Sequence, residues 1–132
     1  DAGGSLCELD DPETIKVLAE HTLVLYIKAN EKDEQDLIKR AEDDPKPLYY
    51  REAFLDEQLA IYLREKGHGF VAEIDPDDFV RWMFPRLFYS RIPRYQAIVD
   101  QYGYTLSTDE LKEVRDEASF LRVVERVLER QA

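Results

Sequence analysis

A chain of 132 residues with 44% hydrophobic and 11% aromatic side chains is one domain's worth of globular sequence, enough to bury most of its apolar groups in a core. Its net charge of −11 argues against nucleic acid as a partner, because phosphate-backbone binding needs Lys and Arg to displace counterions; a small anion in one basic pocket stays open. The lone cysteine, Cys7, excludes an intrachain disulfide and points to a reducing, cytoplasmic setting, and no apolar run approaches the ~20 residues that cross a bilayer.

Asp11-Pro12-Glu13 opens a helix, with Asp as N-cap, Pro at the first helical position and an acid in the first turn; Ile15, Leu18 and Ala19 supply its apolar face. Thr22 to Ile27 is a short, nearly continuous apolar run, which reads as a strand covered on both faces, as in a parallel sheet. Asn30 caps the next helix, whose apolar positions are Leu37, Ile38 and Ala41. Asp43-Asp44-Pro45-Lys46-Pro47 breaks it into a loop. Arg51 to Lys66 is helical again, with Phe54, Leu55, Leu59 and Tyr62 on one side and Gly67-His68-Gly69 at its end.

Phe70 to Ile74 is a short strand or a packed loop. Asp75-Pro76 starts an apolar-rich helix through Phe79, Val80, Met83 and Leu87, which Pro85 kinks or ends. Pro93 to Gln101 reads as a separate helix closed by Gly103, followed by a short strand at Tyr104–Leu106. From about Thr108 to Arg130 the pattern is helical throughout, with Leu111, Val114, Ala118, Leu121, Val124 and Leu128 at helix spacing. Helices alternating with two strand-like runs indicate an α/β layer fold. Two strands are few for a parallel sheet, and the run at Thr22–Ile27 needs another segment to complete its edges.

Other chemistries fit poorly. His21 and His68 have no metal-ligand spacing around them. Asp75-Pro76-Asp77-Asp78 resembles the start of a calcium loop, but Val80 and Arg86 stand where that loop needs Gly and a bidentate Glu. Cys7 has no neighbouring base and reads as a small buried hydrophobe. Neither a Gly-x-Ser-x-Gly nor a Gly-x-x-x-x-Gly-Lys pattern is present.

Three blocks in order carry a resemblance: Gly3-Gly4, Lys46-Pro47-Leu48, and Arg91-Ile92-Pro93-Arg94-Tyr95 with Asp100 following. Together with His21-Thr22-Leu23-Val24-Leu25-Tyr26, they resemble the C-terminal half of the shikimate kinase family of P-loop phosphotransferases. The resemblance implies a three-layer α/β P-loop fold, of which residues 1–132 are the C-terminal part of one kinase-like domain, with an aromatic-rich helical insert at roughly 64–90. It implies that Gly3 and Gly4 lie where glycine lets backbone N–H groups approach the acceptor. Arg40 stands where the family stacks a guanidinium on adenine. Lys46 stands where the family has a lid Arg that reaches the transferring phosphate, keeping the charge but not the planar fork. Arg91 would grip the acceptor's carboxylate, while Tyr95 and Asp100 hold their helix against the sheet.

The implied activity is transfer of the ATP γ-phosphoryl group, with Mg²⁺, to a hydroxyl of a small anionic acceptor. The aromatics Phe70, Phe79, Trp82, Phe84, Phe88 and Tyr89 either alter the acceptor pocket or pack as a subsidiary core. The phosphate loop is absent, so the expected partner is a missing N-terminal half of the same protein. The start at Asp1 and the strand deficit make the chain an expected fragment, inactive alone. The alternative is a P-loop-derived module without catalysis, serving interaction or regulation.

Overall fold

The computed structural model describes residues 6–132. In chain order these form a 3₁₀ turn at Leu6–Glu8, α1 (Pro12–His21), β1 (Val24–Lys28), α2 (Glu31–Asp43), α3 (Glu52–Lys66), a 3₁₀ turn at Val71–Glu73, α4 (Pro76–Tyr102), β2 (Gly103–Ser107), α5 (Thr108–Leu111) and α6 (Glu117–Gln131). The described residues are mostly helical, and none of their helices is long and apolar enough to cross a membrane. They gather into two compact units: the turn ending at Glu8 with Gln35–Ile92, and Leu9–Glu34 with Pro93–Ala132.

The second unit holds the sheet. β1 and β2 pair in parallel, in a register that sets Val24 opposite Gly103 and Lys28 opposite Ser107. Their connection is a long helical crossover, which parallel strands require. Gly103 is dictated by this pairing, since a Cβ there would sit 2.5 Å from the Val24 carbonyl oxygen. Buried Leu106, Val123 and Val127 make the core, with Leu25, Tyr104, Leu111 and Val114 packed on them, so α6 covers one face of β1 through Leu25. On the alternate face Tyr26 stacks on Tyr95 of α4, ring centres 5.4 Å apart. The Gln131 amide bonds both the Thr105 N–H (3.0 Å) and its carbonyl (2.6 Å), tying the end of α6 to β2.

The first unit packs α3 against the early part of α4. Tyr62, Phe79 and Met83 are buried, with Phe54, Leu55, Leu59, Ile74 and Trp82 around them. Phe79 and Trp82 from the aromatic stretch therefore belong to this core, while Phe70 is exposed. Trp82 also donates to Glu65 at 2.9 Å and carries the Arg86 guanidinium 3.7 Å above its ring.

Several elements differ from the sequence expectation. α4 is one continuous helix of 27 residues that runs through both Pro85 and Pro93. Each proline removes an interior N–H bond, yet Phe79, Met83 and Leu87, spaced four apart, are all buried and keep the helical face in place. The helix expected from Thr108 to Arg130 is two helices. It breaks before Asp116, whose carboxylate accepts from the Ser119 N–H at 2.8 Å and starts α6 as a capping box. Of the two alternatives for Phe70 to Ile74 the strand does not form; Val71–Glu73 is a 3₁₀ turn. α1 forms as expected on its Asp11 cap but buries no residue, leaving Leu18 exposed.

Candidate functional site

Gly3 and Gly4 lie outside the described residues. Arg40 lies in the last turn of α2 and is exposed. Lys46 is also exposed and pairs with Asp44 at 3.1 Å, a contact between two well-solvated groups. The fit to ATP is thus limited to an accessible guanidinium and an accessible ammonium. For Mg²⁺, no cluster of three or more His, Cys, Asp or Glu that could hold a metal occurs among the described residues.

Arg91 is different. Its Nε donates to Glu8 Oε1 at 2.9 Å, and its NH2 donates to the Tyr49 carbonyl oxygen. Arg51 Nε donates to the other oxygen, Glu8 Oε2, at 3.1 Å. The Glu8 carboxylate is only 4% exposed, against 16% for Arg91 and 35% for Arg51. Three separate segments deliver these groups. Glu8 closes the first 3₁₀ turn, Arg51 sits at the N-cap position of α3 without capping it, and Arg91 is on α4. So Arg91 does grip a carboxylate, and that carboxylate is the chain's own. Glu8 and Arg51 escaped sequence reasoning because nothing local marks them: Glu8 sits among Leu6, Cys7 and Leu9, and Arg51 reads as one more charge at a helix start.

Tyr95 is held against β1 as expected, through its stack on Tyr26. Asp100 is not: it is exposed and accepts from Gln96 Nε2 at 2.8 Å, one turn away on its own helix. Arg94 pairs with Asp10 at 3.2 Å.

In the second unit, a groove of about 630 Å³ opens where both strands end, lined by Lys28, Asn30, Ser107, Glu110, Arg130 and Gln131. The carboxyl ends of parallel strands are where α/β folds most often bind ligands. Here, however, the chain supplies its own anions to the nearby amides. Asn30 and Asp33 bond each other's backbone N–H groups at 3.2 and 2.8 Å. Asp33 also accepts from the Thr108 hydroxyl, which holds its carboxyl below the usual range, helped by the Asn30 bond. Glu110 accepts from the Ser107 N–H at 2.7 Å and from Arg130 at 2.6 Å; Arg130 is the larger cause of its lowered pKa. No protein-family model matches the chain, and no curated protein or solved structure shows a significant similarity to it.

Proposed function

We propose that this chain is the acceptor-and-lid portion of a shikimate kinase-like phosphotransferase, which moves the ATP γ-phosphoryl group to a hydroxyl of a small anionic metabolite and transfers nothing by itself. The observation that carries the reading is the second unit's layering. Two parallel strands have α6 on one face and α4, bearing the Arg-x-Pro-x-Tyr block, on the other, with Tyr95 stacked on Tyr26. Parallel strands with a helix against each face are the hallmark of α/β layers, and two of them are fewer than such a sheet normally has. In this reading Arg91 and Gly3-Gly4 hold the acceptor, Arg40 holds adenine and Lys46 neutralises phosphate charge. ATP and Mg²⁺ supply the leaving group and charge neutralisation when bound. The phosphate-loop Lys and the metal ligands are contributed by residues other than these 132.

The test is calorimetric binding of hydroxy-carboxylates and of ATP to the complete protein. Arg91→Lys keeps the charge and loses the fork, so acceptor affinity falls by roughly ten- to a hundredfold, the equivalent of about 1.5–3 kcal/mol, with ATP little changed. Arg94→Lys, whose partner is the exposed Asp10, serves as the control with a small effect. Equal effects of the two substitutions, or no carboxylate binding, would sink the reading.

A non-catalytic interaction module is the second reading. It is favoured by the apolar residues of α1, β1 and the link between them that stay open to solvent, Val17 at 49%, Leu18 at 39%, Leu23 at 48% and Ile27 at 51%. A Gly-x-x-x-x-Gly-Lys-Ser/Thr segment between a strand and a helix of the same protein decides for the kinase.

A further inference from the structure

β1 and β2 form a two-stranded sheet, so each strand has one outer edge. The outer edge of β2 is closed where the Thr105 N–H and carbonyl both meet the Gln131 amide, at 3.0 and 2.6 Å. That closure also fixes which backbone groups point where. In a parallel pair, alternate residues send both their N–H and C=O to the same side, so Thr105 faces outward while Tyr104 and Leu106 face β1. Their partners are Val24, Tyr26 and Lys28, which leaves the backbone groups of Leu25 and Ile27 aimed at the outer edge of β1. Among the described residues no third strand and no side chain bonds that edge. Such a row of N–H and C=O groups is a template for another strand, and edges are commonly guarded by a charge, a proline or a bulge. β1 holds no proline, and its one charged residue, Lys28, donates instead to Gln96 of α4 at 3.4 Å.

We propose that β1 is a self-association edge, on which a second copy of this chain pairs antiparallel about a two-fold axis at Leu25, giving a sheet ordered β2–β1–β1–β2. The edge is self-complementary. By strand alternation Leu23, Leu25 and Ile27 share one face, and the half-exposed Leu23 and Ile27 stand equally far on either side of Leu25. About that axis Leu25 exchanges both its hydrogen bonds with Leu25 of the second copy. Leu23 does the same with Ile27 of the second copy, so the two open side chains cover each other twice over. The closed edge of β2 decides the size. With Gln131 in place, β1 of one copy cannot add to β2 of another, so growth stops at a closed, isologous dimer. Each copy carries a charge of −11, so repulsion opposes pairing and salt strengthens it. An edge of five residues is a small interface, which sets the dissociation constant at about 10–100 µM in high salt.

The experiment needs neither ATP nor acceptor, so its failure is separate from failure of the phosphotransfer reading. Sedimentation equilibrium of the chain in potassium chloride at about 0.05 and about 0.5 M reads the mass, and amide hydrogen exchange by NMR reads the edge. Wild type passes from monomer to dimer as its concentration rises, more tightly at the higher salt, and exchange at Leu25 and Ile27 slows in step. Ile27→Pro removes an outward N–H at a place where an edge strand tolerates proline, so circular dichroism is unchanged and the dimer weakens by roughly tenfold. Should Ile27→Pro not fold, Ile27→Lys carries the test. It weakens the dimer by a similar factor, and adding Leu23→Glu, which faces it across the axis, restores the affinity. A chain that stays monomeric at about 300 µM in the higher salt, or a dimer indifferent to these substitutions, overturns the proposal. Protection of Leu25 and Ile27 that is independent of concentration, as a segment of the same protein lying on the edge would give, overturns it too.

Discussion

Tyr62 shows how a single hydroxyl couples burial to charge. The ring is 1% exposed, and its hydroxyl donates to Asp78 Oδ2 at 2.5 Å. Burial, followed by the Asp78 hydrogen bond, pushes the phenol up to about 12. The same bond holds the Asp78 carboxyl below its ordinary value, with Lys66 assisting. For Tyr62 the raised folded pKa means the stabilisation is complete below the unfolded value near 10 and is lost as pH rises towards 12. For Asp78 the sign is opposite: its stabilisation is present above the normal carboxylate range and fades as pH falls through the depressed value. Tyr62→Phe is therefore expected to cost about 1–2 kcal/mol at neutral pH and to flatten the alkaline loss. Urea titrations at neutral and alkaline pH measure both; an alkaline limb that persists in the variant refutes the assignment. Gly103 makes a second residue-scale prediction. A methyl group 2.5 Å from the Val24 carbonyl oxygen forces the strands apart, so Gly103→Ala destabilises by about 1–3 kcal/mol in the same assay, and a neutral outcome contradicts the register.

At the scale of elements, β2 is closed by a side chain. The Gln131 amide presents a donor and an acceptor to the Thr105 backbone, as a neighbouring strand would. Gln131→Ala should leave helix content nearly intact while amide hydrogen exchange at Thr105 speeds up; unchanged protection there argues against the pinning role. α4 shows the reverse lesson about local signals. Pro85 and Pro93 are sound reasons to expect a break, and the helix continues because its buried stripe outweighs two missing hydrogen bonds. α3 ends where expected, with Gly67 in the left-handed region at φ 70° and the His68 N–H reaching the Leu63 carbonyl at 2.9 Å.

For the whole molecule, the charge of −11 acts as diffuse self-repulsion opposed by individual pairs, most of them exposed. Raising salt from about 0.01 to about 0.15 M shortens the screening length from ~30 to ~8 Å, so the melting temperature of the wild-type chain should rise. A falling value means that the Arg–Glu pairs outweigh the repulsion.

Local chemistry written in the sequence sufficed for α1 with its Asp11 cap, for β1 to within two residues at its start, and for α2, α3 and the Gly67 stop. Each is decided by a short-range rule of capping, periodicity or turn geometry that operates over a few residues. Tertiary structure alone decided the continuity of α4, the division before α6, the register of β1 against β2 and the partners of Arg91. The reason is the same in each case. Burial of Met83 and Leu87, the fit of Gly103 beneath Val24, and the meeting of Glu8 with Arg51 and Arg91 across 43 and 83 residues depend on segments distant in the chain, and no local pattern records them.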